Sequence, residues 1–234
     1  IWQANGVWDL GPDGQPRLLR PDHFWRVGDR EVSFYHDYMR PFLNRVARAV
    51  RAEAPAALIF LESTPGDATM RWGPEDAPGV VHAPHWYDAL TLVSKNYHRF
   101  LAVDSWTLKT IIGLPGRIRR LHSANLARFR AITRDQMGNL PILIGEFGLQ
   151  FDLQGGTAYR TGDFSPHARA LDSYCQALDD NLFNWTIWNY TADNDNRRGD
   201  QWNDEDLSIF SRDQQAAPAD IHSGGRGLAG LVRP

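Results

Sequence analysis

The chain has 234 residues, 42% hydrophobic and 23% charged, with a formal net charge of -3. That leaves room for a sizeable core and gives no basic excess to neutralise a nucleic-acid backbone. Its single cysteine, Cys175, excludes an intrachain disulfide and a zinc site built of several thiolates, and no apolar run reaches the roughly 18 residues of a membrane span.

Residues 1–30 are turn-rich, with Gly11-Pro12-Asp13-Gly14 and Arg20-Pro21-Asp22 breaking any periodicity, and are expected to form a long loop. From Ser33 to Arg51, Phe34, Tyr38, Phe42, Val46 and Val50 recur every fourth residue, the stripe of an amphipathic helix kinked or restarted at Pro41. Ala57-Leu58-Ile59-Phe60-Leu61 reads as a buried parallel strand ending at Glu62, with a polar Pro/Gly-rich loop from Ser63 to Gly79 behind it. A second strand runs from Val80 through His85, Trp86 and Tyr87 into Asp88, weakened at its far end by Pro84. Residues 89–116 are mixed, closing on a Gly113-Leu114-Pro115-Gly116 loop before a helix over about 118–137. Its Arg117, Arg119, Arg120, Arg128, Arg130 and Arg134 interleave with Ile118, Leu121, Phe129 and Ile132 as a solvated face would. Gly138-Asn139 ends it. Pro141-Ile142-Leu143-Ile144-Gly145 is the clearest strand and delivers Glu146. After a Gly-rich excursion over 150–164, Ser165 is expected to cap a helix with Pro166 in its first turn and Leu171, Tyr174, Cys175 and Leu178 as its buried stripe. Residues 184–190 read as the fourth strand, and a long polar loop follows to Asn203.

Strands alternating with helices argue a parallel sheet with helical crossovers. An open doubly wound sheet would satisfy that order too, but no Gly-rich strand-to-helix turn of the phosphate-cradling kind occurs. Each strand carries a polar or aromatic group at its carboxyl end: Glu62, then His85 and Tyr87, then Glu146, then Trp188. In barrel enzymes that rim is where catalytic groups collect. Glu146 stands in Gly145-Glu146-Phe147-Gly148, directly after an apolar run, where burying an acid is costly without a purpose; a salt-bridged structural acid is the competing reading. With 9 Trp, 7 Tyr and 11 Phe, the aromatic excess suits sugar faces. Each Trp in a polar stretch, Trp72, Trp86, Trp188 or Trp202, could instead anchor core.

The chain resembles glycoside hydrolase family 5, and within it the endoglycoceramidase-like and steryl-glucosidase-like branches. The matching segments are Pro84-His85-Trp86-Tyr87-Asp88, Ile144-Gly145-Glu146-Phe147-Gly148, Trp185-Thr186-Ile187-Trp188-Asn189-Tyr190, the run from Gly199 to Ile209 with Gln201-Trp202-Asn203-Asp204-Glu205, and Gly224-Gly225-Arg226-Gly227-Leu228 running into Val232-Arg233-Pro234. The resemblance implies an α/β fold, the C-terminal half (about strands five to eight) of a (β/α)₈ barrel, truncated at both ends. Residues 1–234 would be one partial catalytic domain: a loop over 1–30, then the last four βα units. It implies Glu146 as catalytic nucleophile of a retaining β-glycosidase, His85 and Tyr87 as hydrogen-bonding partners in the active site, Trp188 as a floor under the sugar, and a carbohydrate or glycolipid substrate with no cofactor. Trp202 and Trp72, on long polar loops, are expected on the side of a bulky apolar aglycone.

The family's general acid/base stands in an Asn-Glu-Pro segment at the end of strand four, and this chain has no Asn-Glu pair. The expectation is that strand four precedes Ile1, that a β-sandwich follows Pro234, and that these 234 residues alone are inactive. Glu62 is the tempting substitute acid, but its place on a neighbouring strand favours a substrate-contacting role. A metal at Asp193-Asn194-Asp195-Asn196 is disfavoured against a solvated loop, because the Gly and closing Glu of a calcium loop are missing. His82, three residues before His85, would face away from it on a strand and is expected to be structural. The expected substrate is a glycolipid, a glycosylceramide or steryl glucoside; the alternatives are a polysaccharide hydrolase of the endo-β-glucanase or mannanase type and, from another class, a non-catalytic carbohydrate-binding barrel. Compartment and oligomeric state are not legible in the sequence.

Overall fold

A computed structural model describes residues 1–62 and 70–232; most of the Ser63–Gly79 loop's first half, and Arg233 and Pro234 of the last motif, lie outside the described residues. Two compact units emerge, one of residues 1–59 with 70–79 and 136–138, the other of the remainder.

In the first unit, residues 1–30 are not a plain loop. Two short antiparallel hairpins form, β1 (Trp8–Leu10) with β2 (Pro16–Leu18) and β3 (Arg26–Val27) with β4 (Arg30–Glu31), because the same Gly and Pro residues that break periodicity also supply tight turns. A π-helical turn over Phe34–Met39 leads into α1 (Arg40–Glu53), which restarts beside Pro41 as the sequence suggests. The buried side of this segment is not the expected stripe. Tyr35, Asn44 and Ala47 are buried, whereas Phe34, Tyr38, Phe42 and Val50 stand 41–53% exposed. Asn44 and Arg40 converge on Asp76: Asn44 Nδ2 donates to Oδ1 at 2.7 Å and Arg40 Nη2 to Oδ2 at 2.7 Å. Trp72 belongs to this unit's core, only 4% exposed with Nε1 donating to the Ala77 carbonyl at 3.1 Å. It is therefore an anchor and not the exposed aglycone platform expected of it.

The second unit is built on four neighbouring strand ends in chain order. β5 (Ile59–Leu61) pairs with β6 (Val80–His82). Parallel bridges His82–Ile142 and His85–Glu146 tie β6 and its extension to the strand around β9 (Leu143–Ile144), and β9 pairs in parallel with β10 (Asn184–Trp185). No closed barrel forms among the described residues. Between β6 and β9 the pairing is confined to single bridges on either side of Pro84 and beside Pro141, which cannot donate to a ladder.

The crossovers hold surprises. Residues 89–116 contain α2 (Ala89–Ser94) and an antiparallel hairpin of β7 (Leu101–Val103) and β8 (Thr110–Ile112). α3 (Pro115–Gln136) starts a turn earlier than expected, with Pro115 as its first residue. Residues 153–161 form α4 (Leu153–Thr161), its start bent through left-handed Gln154, Gly155 and Gly156. α5 (Ser165–Asp180) carries Pro166 in its first turn, but Ser165 is already helical and does not cap: its amide is taken by Asp163 Oδ1 at 2.9 Å. Leu126 and Phe129 of α3 and Leu171, Tyr174, Cys175 and Leu178 of α5 close over Ile144, Phe147 and Leu149 as one core. The arginine face of α3 is largely solvated as expected, though Arg128 and Arg130 lie over Trp106 and Phe183 at 4.8 Å.

Two buried histidines tie this core to pH. His82 Nδ1 stands 2.7 Å from Thr133 Oγ1, whose hydroxyl donates to the Phe129 carbonyl, so His82 is the donor; this is the structural histidine the sequence predicts. His167 stacks on Phe151 and donates from Nε2 to its carbonyl at 3.1 Å. Burial pushes each down to about 4, so the fold favours the neutral ring. The stabilisation is complete above the unfolded value near 6.5 and is lost as pH falls towards 4, about 3 kcal/mol per histidine. Denaturant titrations at pH 7.5 and 4.5 should show that loss, and His82→Gln or His167→Gln should flatten it; an unchanged difference in both variants would refute the assignment.

Candidate active site

Glu146 leaves β9 at the point where β6 and β10 flank it. The Trp86 amide donates to the Glu146 carbonyl at 2.9 Å, the Gly145 amide to the Pro84 carbonyl at 3.0 Å, and the Trp188 amide to the Phe147 carbonyl at 2.9 Å. These bonds set the register that brings the strand-end side chains together. The flanking glycines are steric requirements. A Cβ on Gly148 would meet the Trp188 carbonyl oxygen at 2.2 Å, and one on Gly145 would press on the His85 ring at 3.2 Å.

The Tyr87 hydroxyl donates to Glu146 Oε2 at 2.8 Å, and His85 Nδ1 reaches the same oxygen at 3.2 Å. His85 Nδ1 also stands 3.0 Å from Glu62 Oε1. A nitrogen facing two carboxylate oxygens must carry its hydrogen, which fixes the His85 tautomer. Burial, then the bond to Glu146, raises Tyr87 well above the usual phenol range, with Glu205 and Glu62 adding to the effect; Tyr87 remains a donor at any working pH. Glu146 Oε1 accepts no hydrogen bond from the described residues. One oxygen of the carboxylate is thus held by two donors and the other is left open, with the side chain 24% exposed.

Glu62, His85, Tyr87 and Glu146 therefore meet. Glu62 is 53% exposed and leans on His85 from the adjacent strand, so Glu62 and Glu146 stand on one wall and not on opposite sides of a cleft, the geometry a pair acting across a sugar ring requires. Trp188 is half-buried directly beside the Glu146 strand, and the Trp188–Asn189 peptide is cis. Trp202 is 67% exposed on the loop after β10 and makes none of the contacts that join the other four. Among the described residues no group of His, Cys, Asp and Glu could hold a metal ion.

Two residues near the site stand in the matched segments but were given no role there. Glu205, in the Gly199–Ile209 run, lies close enough to raise the Tyr87 hydroxyl. Asp88, immediately after Tyr87, is buried and accepts from Thr91 Oγ1 at 2.6 Å and Tyr174 at 3.1 Å, with buried His122 at 4.0 Å. The motif Pro84–Asp88 contained the signal for the second.

The loop after β10 is solvated at Asp193, as expected, but is pinned at Asn194. Asn194 is fully buried and donates to Asp200 Oδ1 and Asp206 Oδ1, both at 2.9 Å. Asp200 Oδ2 accepts from Asn189 Nδ2 and from the Leu207 amide. Arg226, with no exposed surface, grips Asp206 through Nη1 at 2.8 Å and Nη2 at 2.5 Å, and its guanidinium lies 4.5 Å from the Phe151 ring. Tyr159 donates to Asp206 as well.

No protein-family model matches the chain. It is 32% identical over 244 residues to a glucosylceramidase of Aspergillus fumigatus, covering 94% of this chain and 31% of that protein. It is 27% identical over 232 residues to the ergosteryl-beta-glucosidase of Saccharomyces cerevisiae, covering 92% and 30%. The crystal structure of Cryptococcus neoformans sterylglucosidase 1 superposes with a TM-score of 0.83 at 29% identity, over 98% of this chain and 36% of that one. The chain thus spans about a third of the length of these relatives. In sequence and in backbone it resembles the steryl-glucosidase-like branch of glycoside hydrolase family 5, the resemblance its motifs carry.

Proposed function

We propose that the protein containing this chain is a retaining β-glycosidase acting on a glycolipid, a glucosylceramide or a steryl glucoside, and that Glu146 is its nucleophile. The observation that carries this reading is the Glu146 carboxylate, with Oε2 held by Tyr87 and His85 and Oε1 open. Two donors on one oxygen orient the carboxylate and leave its other oxygen free to attack. Attack of Glu146 on the anomeric carbon forms a glycosyl ester and releases the aglycone; water then cleaves the ester, leaving the sugar with retained configuration. Trp188 offers the sugar an apolar ring face. The proton delivered to the leaving oxygen is assigned to none of the residues gathered here, since Glu62 shares a wall with the nucleophile. The four strand ends are read as barrel strands five to eight.

The relatives' names supply the substrate class. Hydrolysis of a glucosylceramide, a steryl glucoside and a soluble β-glucan by the full-length protein tests it. At least one glycolipid is expected to be cleaved with a kcat/KM tenfold or more above that for the glucan; cleavage of the glucan alone would overturn the glycolipid reading.

A further inference from the structure

The proposed chemistry makes no use of Asp88, and its surroundings do not favour an acid. The side chain is buried, and among the described residues it pairs with no Arg or Lys and its Oδ1 has no hydrogen-bond partner. The nearest base, His122 at 4.0 Å, is itself buried, and burial pushes its ring down against the pull of Asp88. An apolar side chain of similar size would be cheaper to bury, so stability does not account for the acid.

Its neighbours in the chain do. Beyond Pro84 the strand alternates sides: His85 and Tyr87 meet Glu146, while Trp86 and Asp88 are buried against the core. Among the described residues Tyr87 makes no backbone hydrogen bond of its own. The Trp86 amide on the Glu146 carbonyl is the last rung before it, and the Asp88 carbonyl, which accepts the Leu92 amide at 2.9 Å, starts α2 just after it. The Tyr87 backbone is therefore held through the residues on either side.

One side chain touches both of them. Tyr174 of α5, fully buried, sets its ring edge-on to Trp86 with centroids 5.4 Å apart, and donates its hydroxyl to Asp88 Oδ2 at 3.1 Å. Thr91 Oγ1 donates to the same oxygen at 2.6 Å from the first turn of α2. His122 of α3 closes the cluster, its ring 5.4 Å from Trp86 and 5.5 Å from Tyr174.

Resting on Glu146 as the nucleophile, we propose that Asp88 and Tyr174 are positioning residues: their hydrogen bond fixes the Tyr87 backbone from behind the strand, and through the Tyr87 hydroxyl it aims the Glu146 carboxylate. The effect is one of place and not of charge. After burial, the acids that raise the Tyr87 hydroxyl are Glu146, Glu205 and Glu62, whereas Asp88, also after burial, raises Tyr97 and Tyr174 on the core side. The Tyr87 hydroxyl stands at the far end of a rigid ring, so a small rotation of the backbone is enlarged at its 2.8 Å bond to Glu146. Misplacement of a reacting group by about 1 Å can cost about a hundredfold in rate.

The test uses the full-length protein with Tyr174→Phe, Asp88→Ala and Asp88→Asn, and reads inactivation by a 2-fluoro glycoside with a good leaving group, which isolates attack by Glu146. Tyr174→Phe and Asp88→Ala should lower the limiting inactivation rate by about tenfold or more and leave the dissociation constant of the reagent within about twofold of wild type. Asp88→Asn, which keeps an oxygen for Tyr174 and Thr91, should recover most of the rate. Tyr174→Phe removes one oxygen atom and keeps the ring against Trp86, so it reports even where Asp88→Ala is too unstable to purify. A lowered Tm with an unchanged rate in Tyr174→Phe overturns the proposal, as does a loss carried by the dissociation constant alone. An Asp88→Asn variant as slow as Asp88→Ala overturns it too, by making the charge the active element. A wild-type protein that the reagent does not label at Glu146 sinks the nucleophile reading instead. The positioning role is then read from crystal structures of wild type and Tyr174→Phe: a Tyr87–Glu146 separation lengthened beyond about 3.5 Å upholds it, and an unchanged one overturns it.

Discussion

Glu146→Gln in the full-length protein is expected to lower kcat by about a thousandfold or more while leaving the fold intact. The substitution is nearly isosteric, keeps an acceptor for Tyr87 and His85, and removes the negative charge that attacks carbon. Loss of a covalent nucleophile costs several kcal/mol of barrier, and each 1.36 kcal/mol is about tenfold in rate. A 2-fluoro glycoside with a good leaving group should label Glu146 and no other carboxylate, since the fluorine slows hydrolysis of the ester. Retention of more than about a tenth of the wild-type rate would remove Glu146 from the mechanism, because no orienting residue of one wall accounts for so small a loss and a nucleophile both. Glu62, the other acid on His85, is the residue a misassignment would point to, and peptide mapping of the label separates the two.

The second large effect is on stability. Arg226→Ala is expected to destabilise the protein by about 3–5 kcal/mol, the range for removing one partner of a buried ion pair. The loss leaves Asp206 buried with only Tyr159 and Asn194 as side-chain donors, opens a void over Phe151, and frees the Ser208 carbonyl. For a chain of this size that corresponds to a fall in Tm of about 6–20 °C. The double substitution Arg226→Met with Asp206→Leu should recover part of the loss, since the penalty lies in the orphaned charge and not in the absence of the pair. A Tm within about 2 °C of wild type for Arg226→Ala would show that the guanidinium is not where its contacts put it.

The strands that hold the site were legible because their signal is local: four apolar residues ending at an acid, as at Ile142–Glu146, admit few readings. His85 and Tyr87 could be named for the same reason, two residues apart and so on one face. The hairpin of β7 and β8 was not legible. Each strand is three residues long, and the connection turns at Leu108, with φ of 56°, where no Gly or Asn announces it. Trp72 misled because its neighbours are polar; its burial comes from the Ala77 carbonyl and from residues distant in sequence. Glu205 and the burial of Asn194 depend on Arg226, more than 20 residues downstream in sequence, and no periodicity encodes a pin of that kind. The exposed stripe of α1 followed the helical repeat faithfully, but a repeat states which residues share a side and not whether anything covers it.

The lattice that joins Asn189, Asn194, Asp200, Asp206 and Arg226 fixes the segment carrying Glu205 before any ligand arrives. Its residues give up their freedom during folding, when the ion pair closes. A glycoside arriving beside Trp188 then finds that wall already set, and the ordering entropy that a mobile loop would lose on association does not subtract from affinity. Selectivity on this side of the site accordingly rests on fit to a fixed shape, and exchange of ligand need not wait for a segment to reorganise.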